Sequence, residues 1–288
     1  MHSLRFSLKK TLIKLTIAIL GIVNCIGIVS PVKSEDFDMP TCPASGSADA
    51  TLDYIWNNQE GFCLFTPEKY EITIYEMGIC TSNPLPGGEG SMTFDKTTCV
   101  LTMKNSAGFT VDLAASNLQN LPGGDKPSEG TYRYGFIIIS KNFTFKGSYQ
   151  LANGITYYSR QGTDEYGPYG IADSSLSASQ EHEALLNDLG FDDTWGAEMT
   201  AQTMPGGGSV TALLLTSSNE KATSKASAEK VIASFETNSG SPIVITNSTK
   251  GLEVELKVTD SGYALEMGEE NDIEAFGGSP FKPIFTPF

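Results

Sequence analysis

The 288-residue sequence predicts an all-β fold, mainly antiparallel and β-sandwich-like, with one or two short helices behind an N-terminal signal peptide. Three observations carry that prediction. Runs rich in β-branched and aromatic residues recur between Gly, Pro, Asn and Asp. Leu252, Val254, Leu256 and Val258 alternate with Glu253, Glu255 and Lys257, the period of a strand with one buried and one wet face. Helical spacing is confined to two short segments.

Residues 1–34 read as an export leader. Arg5, Lys9, Lys10 and Lys14 precede an apolar run from Leu15 to Val29, and Val32-Lys33-Ser34 offers a cleavage site, so the exported domain is expected to span 35–288. A retained anchor fits less well, because the run falls short of the ~20 apolar residues of a spanning helix and Asn24 interrupts it. A lipoprotein signal at Cys25 fits less well for a related reason: Asn24 stands where a small residue is wanted. The expected location is periplasmic, cell-surface or extracellular.

The chain holds 19 basic and 34 acidic residues, and five of the basic ones lie in the leader, so the exported part carries 14 − 34 = −20. Such a field argues against nucleic acid and anionic lipid surfaces, which need clusters of Lys and Arg. It suits solubility, or contact with divalent cations outside the cell. No later stretch is long and apolar enough to span a bilayer.

A first short helix is expected over Asp49–Asn58. Around it, Cys42, Cys63, Cys80 and Cys99 are the four cysteines left after Cys25, an even number that in an oxidising compartment predicts two disulfides. Three connectivities are possible. Sequential pairing, Cys42 with Cys63 and Cys80 with Cys99, is expected, since the second pair flanks a Gly- and Pro-rich loop at Asn83–Gly90. Zinc is disfavoured by the lack of Cys-x-x-Cys and by a single histidine, His182, outside the leader.

Strands are then expected at Tyr70–Met77, Ser91–Met103, Phe109–Leu113, Thr131–Ser140, Asn142–Tyr149 and Ile155–Ser159. Seven of the 11 tyrosines fall between Tyr132 and Tyr169. Tyr132, Tyr134 and Tyr149 are ordinary strand residues. Tyr157, Tyr158, Tyr166 and Tyr169 are the candidate ligand-binding residues, because rigid amphipathic rings on a loop supply contact area at low entropic cost.

From Arg160 to Thr194 the chain reads as loop, with a possible domain sub-boundary within 160–196 and a second short helix at Gln180–Leu189, where Leu185, Leu186 and Leu189 recur at helical spacing before Gly190. His182, between Glu181 and Glu183, is read as a solvated residue of that helix. Asp188, Asp192, Asp193 and Glu198, and separately Glu269, Glu270, Asp272 and Glu274, are acidic turns that could gather calcium. Neither has the alternating pattern of a dedicated loop, and no other cofactor or metal is expected.

The second half is expected to hold strands at Val210–Thr216, Val231–Thr237, Ile243–Thr246, Leu252–Val258 and Tyr263–Met267. An extended tail follows at Ser279–Phe288, where Phe281, Phe285 and Phe288 alternate with prolines that disfavour helix. Those three rings either cap the protein's own sheets or add to another subunit as a strand.

The sequence lacks a Gly-x-Ser-x-Gly elbow, a phosphate loop and paired metal histidines. Ser-x-x-Lys at Ser218, Ser227 and Ser279 lacks its companion motifs. The first expectation is therefore a non-enzymatic secreted or cell-surface structural or adhesive protein, acting on copies of itself, other surface proteins or glycans. The alternatives are a carbohydrate- or calcium-dependent binding module using the tyrosines, and a secreted hydrolase using two carboxylates.

Overall fold

The computed structural model describes residues 40–115, 121, 126–164, 167–190, 195–204, 208–237, 241–268, 272–279 and 281–288. The leader, Tyr166, Asp192, Asp193, Glu269 and Glu270 lie outside the described residues. Within them the chain is antiparallel β with one α-helix, α1 (Leu52–Gln59), which Thr51 caps by accepting the Tyr54 N–H.

The first-half strands are β1 (Phe62–Phe65), β2 (Lys69–Cys80), β3 (Cys99–Asp112), β4 (Gly130–Tyr132), β5 (Tyr134–Ser140), β6 (Asn142–Lys146) and β7 (Ser148–Gln150). Next come β8 (Thr156–Asp164), β9 (Gly167–Asp173), β10 (His182–Leu185), β11 (Glu198–Thr203), β12 (Ser209–Leu215) and β13 (Lys230–Glu236). The last are β14 (Ile243–Ile245), β15 (Leu252–Lys257), β16 (Tyr263–Met267), β17 (Ile273–Gly278) and β18 (Lys282–Pro287).

Two sheets dominate. One runs β1-β16-β17-β9-β8-β7; the other runs β10-β6-β2-β5-β13-β12-β11, with β3 on the free side of β2. Strand β2 organises the second sheet, because β6 pairs with its first residues and β5 with the remainder. Past Ser140 the two partners diverge, β5 continuing to β13 and β6 to β10.

One core lies between the sheets. Tyr70, Ile72, Ile74, Phe145 and Leu214 meet Phe65, Tyr149, Tyr263, Leu265 and Phe276 there. The rings pack edge-on or offset; Phe65 stands 5.1 Å from Tyr263 and 5.6 Å from Phe276. The other face of the larger sheet is also covered. The segment between Cys80 and Cys99 folds over it, burying Leu85 and Met92 against Phe136, Ile138, Leu213 and Ile232. This explains why β5 and β12 read as continuous apolar runs rather than alternating ones.

The disulfides are Cys42–Cys63 and Cys80–Cys99, the sequential pairing. Several sequence-predicted elements differ in detail. Of the strand expected at Ser91–Met103 only Cys99–Met103 is strand; it continues through Phe109–Asp112 as one strand, β3, in which residues 105–108 bulge opposite Tyr75, while residues 91–98 belong to the segment that folds over the larger sheet. The Asn142–Tyr149 strand divides at Gly147, whose N–H is held by the Ser159 hydroxyl as the chain passes from the larger sheet to the smaller.

Two expectations are overturned. The helix at Gln180–Leu189 is the strand β10, paired with β6 through His182↔Phe145 and Ala184↔Phe143. Its inward residues, His182 and Ala184, alternate with outward Glu183, and that period-two pattern outweighs the leucine spacing. The loop expected from Arg160 onward includes a regular hairpin, β8–β9, joined from Tyr158↔Asp173 to Asp164↔Gly167.

Candidate functional site

Several described residues nominated for chemistry are engaged in the fold. His182 is not solvated: it is buried at 1 % exposure between the two sheets. Its Nε2 shares a 2.6 Å hydrogen bond with the Tyr263 hydroxyl, its ring stacks near Phe145 and Tyr263, and a Cβ on Gly170 would collide with it. Nδ1 completes no hydrogen bond within the described residues. Burial lowers the imidazole from its ordinary 6.5 to about 4, so the ring is neutral at physiological pH. The same burial drives the Tyr263 and Tyr70 hydroxyls far above their usual range, and the Tyr70 hydroxyl donates to the Ser279 carbonyl at 2.9 Å.

The three described tyrosines of the set, Tyr157, Tyr158 and Tyr169, lie on strands β8 and β9. Tyr157 is a core residue of β8 whose hydroxyl donates to the Asp272 carboxylate; burial, then that carboxylate, push it up to about 12. Tyr158, the next residue, faces the opposite side and pairs with Ser148 and Asp173. Tyr169, on β9, lines a narrow cavity of about 30 Å³ with Phe62, Ala184 and Phe276, room for about one water. An open depression of about 210 Å³ lies beside the start of α1, lined by Thr51, Leu52, Asp53 and Asn153. Both fall short of the roughly 300–1,000 Å³ of a small-molecule site.

Three described carboxylates of the acidic turns, Asp188, Glu198 and Asp272, are engaged as well, Asp272 by the Tyr157 hydroxyl. Asp188 accepts the Gly190 and Gly196 N–H groups, each at 3.0 Å, and pairs with Lys225 at 2.9 Å. Glu198, its side chain 6 % exposed, takes the Gly90 and Met92 N–H groups and pairs with Lys221. That contact fastens the segment between Cys80 and Cys99 onto β11. Sequence reasoning read these carboxylates as solvated acidic turns that could gather calcium, because the glycines and lysines that neutralise them are brought in by folding.

The remaining nominated segment, Ser279–Phe288, forms the surface with the most distinctive geometry. Strand β18 pairs with β15 in a two-stranded ribbon separate from both sheets, from Leu252↔Pro287 to Lys257↔Lys282. Gly251 and Phe288 exchange both backbone hydrogen bonds, at 3.2 and 3.1 Å. In an antiparallel ladder the bonded pairs alternate, so Glu253–Thr286, Glu255–Ile284 and Lys257–Lys282 are bonded, and Pro283 and Pro287 point their nitrogens away from β15.

Three rings anchor this ribbon. Phe281 is buried near Tyr70 and Phe235, with centroids 6.1 and 6.3 Å away. Phe285 fills the notch over Gly135, where a Cβ would collide with its ring, and joins a small cluster with Ile79, Tyr132, Ile243 and Ile245. Phe288 covers Gly251 yet remains 65 % exposed. Ile284 on β18 and Val244 on the nearby β14 are exposed as well.

No protein-family model, curated protein or solved structure matches the chain. Among the described residues no helix is long and apolar enough to cross a membrane.

Proposed function

We propose that the protein is a non-enzymatic structural or adhesive protein of the cell exterior, secreted or surface-displayed, and a subunit of an extracellular assembly. One observation carries the reading: His182, Tyr157, Asp188, Glu198 and Asp272 all serve to hold the fold. What the surface offers instead is apolar strand, with Val244, Ile284 and Phe288 exposed around the β15–β18 ribbon. Two disulfides fit an oxidising compartment outside the cytosol. The acidic surface keeps separate copies soluble until specific contacts bring them together.

Sedimentation of the purified protein over a wide concentration range, with electron microscopy of the protein and of producing cells, tests this. Concentration-dependent oligomers and a visible filament or coat are expected. A monomer at every concentration, on cells with no such layer, overturns it. Glycan turnover abolished by one acidic substitution favours a hydrolase instead.

A further inference from the structure

We propose that the segment after Ser279 is exchanged between copies of the protein, β18 of one copy pairing with β15 of the next; this rests on the assembly reading above. The geometry separates two ways in which a second chain could use this ribbon. It could add a strand outside β18, or it could take the place of β18.

Addition is blocked. The outward-facing backbone of β18 belongs to Pro283, Phe285 and Pro287, and the two prolines have no N–H to offer. A strand laid along that edge would meet one donor in three positions, the arrangement by which natural sheets blunt their edges.

Replacement remakes the same contacts. The contacts of the segment run from its backbone to β15, from Phe281 to Tyr70 and Phe235, from Phe285 to Gly135 and from Phe288 to Gly251. Each is available unchanged on a neighbouring copy, because the receiving groove is the same sequence. The chain before the segment stays in its own core: the Ser279 N–H donates to the Gly262 carbonyl at 3.1 Å, and the Ser279 carbonyl accepts from Tyr70. The exchanged unit therefore begins after Ser279 and carries all three aromatic anchors with it.

The ribbon also has the energetics of an exchangeable element. A two-stranded ribbon is marginal by itself, so its hold depends on rings seated in glycine notches. No disulfide ties it to the sheets, since all four described cysteines are paired in the first 99 residues of the chain. Exchange that passes from copy to copy makes an open, head-to-tail chain; mutual exchange closes a dimer.

Glu253 and Thr286 are exposed and directly paired. Glu253→Cys and Thr286→Cys, made in separate full-length chains, should be mixed at the concentration where the protein self-associates, then oxidised and mapped by mass spectrometry. A covalent species of twice the chain mass, linked between positions 253 and 286, is expected. If the mixture self-associates but that link never forms, while the variant carrying both cysteines closes the same link within one chain, exchange is overturned and assembly by another surface stands. If the mixture does not self-associate at all, both readings fail together.

Discussion

Two segments close the same sheet in opposite ways. The chain between Cys80 and Cys99 covers one face of β5 at Phe136, and the Ser279–Phe288 segment covers the other face one residue away, at Gly135. The first is fixed by a disulfide, by Glu198 gripping two of its backbone N–H groups, and by the Asn83–Ser234 bond. The second is held by one ladder and three rings. A covalent closure restricts the unfolded chain and cannot be traded; a strand closure can be made by any identical chain. The same need, hiding apolar sheet from water, is thus met by one covalently fixed cover and, in the exchange proposed above, one that copies can trade.

Replacing both Cys80 and Cys99 by alanine should have the largest effect on this contrast, about 3 kcal/mol from the disulfide. Urea unfolding reads the loss, and protease sites between 81 and 98 should open before sites in the ribbon. If the ribbon is cleaved first, the assignment of permanent and reversible covers is reversed.

His182 lies under neither cover and provides a common background. Its folded value of about 4 lies below the ordinary 6.5, so as pH falls from 6.5 the unfolded chain takes up the proton first. Stability should fall between pH 6.5 and about 4 by about 3 kcal/mol and gain no further loss from this group below that. Compared with the unaltered protein, His182→Phe should flatten the slope of urea midpoint against pH in that window. An unchanged slope would assign the pH dependence to the carboxylates.

Phe285→Ala should cost about 2 kcal/mol, since the ring is only part-buried in the Gly135 notch. Hydrogen exchange should show the loss confined to β15 and β18, leaving the segment between Cys80 and Cys99 protected. Phe288→Ala should cost about 0.5 kcal/mol or less, its ring being 65 % exposed. If it instead weakens self-association strongly, that ring is covered by another copy.

Much of this was legible in local sequence. Gly and Pro punctuation marked most strands, and even the break between Met103 and Phe109 corresponds to the bulge in β3. His182 was missed because a polar residue between two glutamates looks wet; its signal was the short alternation with Ala184. Tyr157 and Tyr158 look equivalent in sequence, yet their opposite faces of β8 give one a core place with Asp272 and the other a half-exposed one.

The sequence by itself determined the strand-rich composition and the acid excess, and it favoured the sequential disulfides among three connectivities because each pair lies within about 20 positions; the fold decided that pairing. Tertiary structure alone decided that His182 meets Tyr263 81 residues away, that Tyr157 meets Asp272 115 residues away, and that Phe285 finds the missing side chain of Gly135. Periodicity tells which face of a strand is apolar. It does not tell which distant strand will cover that face, and here that choice separates a cover held by a disulfide from one held by strand pairing and rings.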